Sequence, residues 1–330
     1  MIIDVKNLSV EYKIGKKYLK AVHDVNFSLN KKESLGFVGE SGCGKSTLAY
    51  ALLNLLEKNG RIRDGKIIIN NKDLVHSTDK EIRSTRWKEI SIIFQNAMTA
   101  LNPVEKIGIQ IINALMEHEK VSKKQAIERA KDIFNKVGIS PSRLMEYPHE
   151  FSGGMKQRAV IALALICYPN ILIADEPTTA LDVVAQRQVL ELLLQLQEEF
   201  DLTLIMISHD ISVVAEACEN VAVMYGGEIM EMGTTDDVFK QSNHPYTKLL
   251  INSFPSLYHE VAELEQIPGY PPSLEDLPKG CPFAPRCSYA KEICFSEKPA
   301  MREVRENKLV KCHFAEELDF NKGGDSLLVK

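Results

Sequence analysis

The nine residues GESGCGKST (Gly39 to Thr47) carry the strongest chemical signal in the chain, two glycines bracketing four residues and followed by Lys and Ser. Glycines let backbone N–H groups turn inward around phosphate oxygens, and a helix starting here offers its positive N-terminus to the same anion. Lys45 is placed to reach outer phosphates and the Ser46 hydroxyl to ligate magnesium. A second string, ILIADE (Ile171 to Glu176), delivers two adjacent carboxylates at the end of an apolar run. There Asp175 would hold magnesium through water and Glu176 would polarise an attacking water, roles that suit phosphoryl transfer. A third, FSGGM (Phe151 to Met155), opens an apolar helix with Ser and two glycines and so forms a second anion-binding helix end. Taken singly, the three strings could be a plain strand-to-helix turn, a capping Asp-Glu pair and a Ser cap. Their presence in one chain favours the chemical reading.

The elements around these strings are those the chemistry requires. Apolar residues alternate in IIDVKNLSVEY (Ile2 to Tyr12) and VHDVNFSL (Val22 to Leu29), the pattern of half-buried antiparallel strands. ESLGFVG then predicts a strand entering the glycine-rich turn, and STLAYALLNLLEKN (Ser46 to Asn59) predicts the helix leaving it. Residues from about 96 to 165 read as a helical insertion. The short apolar runs ILIADEP and LTLIMISHD read as buried parallel strands separated by the helix AQRQVLELLLQLQEEF. VAVMY, Gly226, Gly227 and EIMEMG predict a closing hairpin. The expected fold class is α/β.

Composition sets the outer bounds. A chain of 330 residues with 45% apolar and 26% charged residues is an ordinary globular protein of about two domains. With 40 basic and 45 acidic residues the net charge is −5, which does not suit a general nucleic-acid binder. The first residues lack an apolar secretory core, and no apolar run approaches the roughly 20 residues of a membrane span, so a cytosolic location is expected. Seven of the fourteen prolines fall between Pro268 and Pro299, marking a linker and a small module after about residue 255.

Five strings in this order resemble the nucleotide-binding subunits of ATP-binding cassette transporters: the phosphate loop, IIFQNAMTALNP, FSGGM, ILIADEPTTALD and LIMISHD. The resemblance covers roughly residues 1 to 250. It implies a P-loop ATPase with a RecA-like core, an N-terminal antiparallel β-subdomain and a helical subdomain near 96–165, all within 1–255. It further implies ATP and Mg2+ as ligands, with Gly39, Ser41, Gly42, Cys43, Gly44, Lys45, Ser46 and Thr47 around the phosphates. Ser46, Gln95 and Asp175 would serve magnesium, and Glu176, Gln95 and His209 the hydrolytic step. Tyr12 is the chosen adenine-stacking aromatic, with Tyr18 as the competitor, and Asp182 would communicate between subunits. Ser152, Gly153 and Gly154 would close on ATP held by the opposite subunit of a head-to-tail dimer. Met155 departs from the commonest signature, which has Gln there; the backbone donors stay while one polar side chain is lost.

MTALNP, YPHEFSGGMKQR, HPYTKLL and GCPFAPRC look like the ATP-binding subunits of dipeptide and oligopeptide importers, and nickel importers share part of this pattern. That likeness implies a peripheral subunit on the cytoplasmic face of the cell membrane. Its partners would be a second, different ATPase subunit, two transmembrane permeases and an extracytoplasmic peptide-binding protein, with MTALNP toward the permeases. Non-transport ATPases of the superfamily are the rival class, but this chain has neither a long coiled-coil insertion nor a second cassette.

The module at 256–330 holds Cys281, Cys287, Cys294 and Cys312 without a Cys-x-x-Cys pair. Seven basic against four acidic residues between 281 and 313 suit an anionic, thiolate-bound group. The expectation is a four-iron, four-sulfur cluster, with zinc, disulfides or free thiols as alternatives and His313 as a substitute ligand.

Overall fold

The computed structural model describes residues 1–95, 100–179, 181–253 and 267–318. Its strands are β1 (Ile3–Ile14), β2 (Lys17–Leu29), β3 (Ser34–Val38), β4 (Gly60–Ile69), β5 (Lys72–Asp73), β6 (Ile90–Ile93), β7 (Ile171–Asp175), β8 (Thr203–Ile207), β9 (Asn220–Tyr225), β10 (Glu228–Thr234), β11 (Arg302–Arg305) and β12 (Lys308–Val310). Its helices are α1 (Lys45–Leu52), α2 (Asp79–Thr85), α3 (Ile107–His118), α4 (Lys123–Lys136), α5 (Gly153–Leu165), α6 (Val183–Glu199), α7 (Ile211–Ala217), α8 (Thr235–Lys240), α9 (Pro245–Asn252) and α10 (Glu292–Ser296). The chain forms two compact units. One comprises Met1–Ile3, Ser28–Ser34 and Ile68–Met206; the other comprises Asp4–Phe27, Leu35–Ile67 and the chain from Ile207 onward.

In the first unit β8, β7 and β6 lie side by side, and β6 pairs with β7 in parallel from Ile90↔Ile171 to Ile93↔Ala174. All five residues of β7 are buried, which is why its sequence is an unbroken apolar run ending in Asp175 rather than an alternation. Helices α3, α4 and α5 supply the expected helical insertion, and the Ser122–Gln125 capping box starts α4 by satisfying two orphan N–H groups reciprocally. Met98 and Thr99 of the MTALNP string lie outside the described residues, as does the expected boundary near 255.

In the second unit the order is β11, β12, β10, β9, β3, with β3 and β9 parallel and β9 and β10 antiparallel. Gly226 and Gly227 turn the β9–β10 hairpin at φ 57° and 83°, as their sequence position requires. The tail joins this same sheet, because β12 pairs with β10 at Glu231↔Val310 and Met232↔Leu309. Strands β2, β1 and β4 stand side by side in that order. The alternation of β1 and β2 was legible; β4 (GRIRDGKIII) was missed because four charged residues hide its period.

The helix after the phosphate loop is shorter than its leucine spacing predicts. α1 ends at Leu52 because Asn54 turns left-handed at φ 50°, with Asn54 N–H donating to Ala51 O and Leu55 N–H to Tyr50 O. These two bonds satisfy the last carbonyls of the helix and reverse the chain.

Candidate functional site

In the second unit β3 runs into the loop Gly39–Gly44 and α1. Left-handed backbone is built in: Gly44 sits at φ 104°, where a Cβ would stand 2.4 Å from Ala21 O. A Cβ on Gly39 would meet Met224 O at 2.2 Å. No side chain caps the N-terminus of α1, whose N-cap is Gly44, so the positive end of the helix is not covered by a capping side chain. Lys45 is buried, and its Nζ donates to Gly39 O at 2.7 Å and Glu40 O at 3.1 Å, holding the ammonium over the loop. Ser46 and Thr47 follow in the first turn. The residues present therefore fit a triphosphate with its magnesium: a loop whose backbone admits no Cβ at Gly39 or Gly44, a helix N-terminus without a side-chain cap, a cation and a hydroxyl.

Cys43 is buried within the loop, and burial pushes its thiol up, with Lys45 partly offsetting it. Tyr12 is half-buried against Gly60, where a Cβ would meet its Cε1 at 2.7 Å. Tyr18 is covered on one face by the Arg61 guanidinium, 4.1 Å from the ring centroid. His209 is exposed just before α7, whose N-cap Asp210 accepts from Ser212 N–H at 2.8 Å.

In the first unit Asp175 ends β7 with no exposed surface, and Glu176 follows at φ 47°, a left-handed conformation uncommon for a side-chain-bearing residue. Such strain persists where surroundings over-determine it and gathers at functional positions. Gln95 Nε2 donates to Glu176 Oε2 at 2.7 Å, and Thr179 Oγ1 donates to the same oxygen at 3.0 Å. Thus Gln95 and Glu176, read from strings 81 residues apart, meet directly. Thr179 was not singled out from sequence; its place three residues after a carboxylate was the available signal.

Ser152 caps α5 by accepting from Met155 N–H, and Asp182 caps α6 by accepting from Ala185 N–H at 2.8 Å. The two helix ends open onto one recess of about 320 Å³, lined by Ser152, Gly153, Gly154, Asp182 and, unforeseen from sequence, Arg158 and Gln188. Arg158 Nη1 is anchored on Val137 O at 2.9 Å. The signature residues and the expected communicating aspartate therefore share one surface.

Residues 22–179 match the family model described as ABC transporter, and residues 230–294 match the oligopeptide/dipeptide transporter C-terminal region. The dipeptide transport ATP-binding protein DppD of Bacillus subtilis is 46% identical over 94% of this chain and 94% of its own. The oligopeptide transport ATP-binding protein OppD of Escherichia coli is 47% identical over 94% of this chain and 92% of its own. The chain belongs to the ABC transporter family. A solved ABC cassette, described as a dimeric post-hydrolysis state bound to ADP and Pi, aligns at 27% identity with a TM-score of 0.64, covering 71% of this chain and 99% of its own. Among the described residues no helix of this ABC subunit is long and apolar enough to cross a membrane.

The tail adds a second candidate site. Cys281, Cys287, Cys294 and Cys312 are free thiols lining one cavity, together with His313 and Phe314. Burial pushes the thiols of Cys281 and Cys312 up to about 11 and that of Cys287 to about 12. Among the described residues no three His, Cys, Asp or Glu side chains come close enough to share one metal ion. The ring of His313, the expected substitute ligand, places Nε2 3.0 Å from Glu297 O. None of the described cysteines forms a disulfide, so that alternative has no counterpart here.

Proposed function

We propose that this chain is the ATP-hydrolysing subunit of an importer for dipeptides and oligopeptides, acting from the cytoplasmic face of the cell membrane. The observation that carries the reading is near-full-length similarity to ATP-binding proteins of dipeptide and oligopeptide transport. Its companions would be a second, related ATPase subunit, two permeases and an extracytoplasmic binding protein. Residues 1–255 would act as the cassette and 256–330 as the appended peptide-transporter module.

Gly39–Thr47 would grip the triphosphate, with Lys45 on the outer phosphates and Tyr12 against adenine. Ser46 and Asp175 would hold the magnesium, with Gln95 sensing it. Glu176, oriented by Gln95 and Thr179, would take a proton from the attacking water as its oxygen bonds the γ-phosphorus and the β–γ bridge breaks; His209 would steady the γ-phosphate. Ser152, Gly153 and Gly154 would close on the partner's nucleotide, and Asp182 would report that closure. This is supported by the common recess the four residues line. ATP-driven closure would move the permeases and hydrolysis would reset them.

The reading of the tail as a four-iron, four-sulfur site rests on the four thiols that line one cavity, since such a cluster takes four thiolates; Cys281, Cys287, Cys294 and Cys312 would be its ligands. When bound it would cross-link the module and supply folding free energy. Purification from native membranes tests the assembly: two permease chains and a second ATPase are expected, and a self-pair without membrane chains would overturn it. Anaerobic purification with iron and sulfide analysis tests the tail, where about four irons per chain are expected and iron-free protein sinks the cluster.

A further inference from the structure

Glu40, the second residue of the phosphate loop, is pinned at three groups. Its carbonyl carries the Lys45 ammonium at 3.1 Å, its backbone N–H donates to Tyr246 Oη at 2.9 Å, and its carboxylate takes both arms of Arg286 at 2.6 and 3.1 Å. Tyr246 and Arg286 belong to HPYTKLL and GCPFAPRC, two of the strings that resemble the ATP-binding subunits of peptide importers. Arg286 is itself immobilised. Its side chain is only 7% exposed; Nε donates to Pro268 O at 2.7 Å, Nη1 also to Tyr225 Oη at 3.2 Å, and Nη2 also to Gly269 O at 3.4 Å. These bonds engage all five donors of the guanidinium fork. Beneath it Tyr225, Tyr246 and Phe283 form a ring cluster with centroids 4.6 to 5.2 Å apart.

We infer that Arg286 is a positioning residue for ATP binding: through Glu40 it sets the carbonyl that aims Lys45, which makes the C-terminal module a working part of the nucleotide site. The reason is geometric. A glycine-rich loop has little side-chain packing of its own, so its peptide planes must be fixed from outside, and a paired, bidentate arginine fixes a carboxylate in both distance and angle. Lysine cannot reproduce this, because it offers a point charge rather than a fork. The inference rests on the reading of Gly39–Thr47 as the triphosphate cradle.

The test uses the full chain and fluorescent methylanthraniloyl-ATP, titrated at a temperature where each variant remains folded. Arg286→Met and Glu40→Gln should each weaken affinity about tenfold, the double variant no further than either single, because both break one contact. Arg286→Lys should keep most of the loss. In the assembled importer the KM for ATP should rise with kcat little changed. Arg302→Met is the control for a merely structural role: it removes bonds to Cys312 O and His313 O in the same module without touching the loop, and should leave affinity unchanged. Wild-type affinity in Arg286→Met, independent losses in the double variant, or equal loss in Arg302→Met would overturn the inference. Lys45→Ala separates the underlying reading: if it retains affinity the cradle itself is misassigned, whereas loss there with none in Arg286→Met refutes only the positioning role.

Discussion

The phosphate loop and the cysteine-lined cavity lie in one compact unit, yet they are built in opposite ways. The loop works through consecutive backbone atoms, so nine residues in the right order nearly suffice. The cavity gathers Cys281, Cys287, Cys294 and Cys312 across some thirty residues, and the sheet to which its module is attached is closed by an ion pair 77 positions apart, Glu231 with Lys308. Sequence spacing therefore encodes the first kind of site, while the second exists only once distant strands have paired.

The sharpest way to test that contrast is on the motif side, where one atom should matter most. Glu176→Gln keeps the shape and removes the proposed base; ATP turnover should fall about a thousandfold while nucleotide affinity is retained, as read by steady-state rates against fluorescent-ATP titration. Wild-type turnover would remove Glu176 from the mechanism. On the long-range side the largest effect should come from Lys308→Met. The Lys308 and Glu231 side chains have no exposed surface; Lys308 Nζ also donates to Asp237 O and Gln241 O, and Glu231 accepts from the N–H groups of Asn243 and His244. Burial pushes the Glu231 carboxyl up and the Lys308 ammonium down, each partly offset by the other. Losing one partner strands the other charge, so the urea midpoint should drop by the equivalent of about 3 kcal/mol with ATP affinity intact. If ATP affinity fell as steeply as stability in folded protein, the two regions would not be separable in this way.

A smaller effect is expected at Gly44→Ala, where the left-handed backbone and the nearby Ala21 carbonyl make a methyl cost about 2 kcal/mol, read as weaker ATP binding. The smallest is a pH effect in the tail-bearing sheet. Glu228 is buried, which works against its carboxylate, but Lys311 and Lys298 outweigh burial and hold its pKa below the ordinary 4.5. A depressed folded pKa means the stabilisation is present above the unfolded value and is lost as pH falls through the folded one. Glu228→Gln should thus cost about 1 kcal/mol at neutral pH, and the gap from wild type should close in acid, as followed by thermal melts across pH.

The legibility of the elements follows the same line. β1, β2, the β9–β10 hairpin and helices α3 to α6 were readable because period and turn chemistry are local. The β11–β12 hairpin was not, since REVR carries three charges in four residues and KLV is only three residues long; β12 gains its place by pairing with β10, and β11 by pairing with β12. The leucine spacing predicts a longer α1 than the structure has, because leucines continue past Asn54, whose left-handed turn ends the helix.

By itself the sequence determined where the glycine-rich loop, the paired acids and the Ser-Gly-Gly turn fall and which chemistry they are proposed to carry, because each is a short run whose backbone and side chains act as neighbours. The tertiary structure alone decided that Gln95 reaches Glu176, that Ser152 and Asp182 share one recess, and that Arg286 clasps Glu40. Those contacts join residues many positions apart, and the energy that brings them together resides in the packing of whole elements, which no local pattern records.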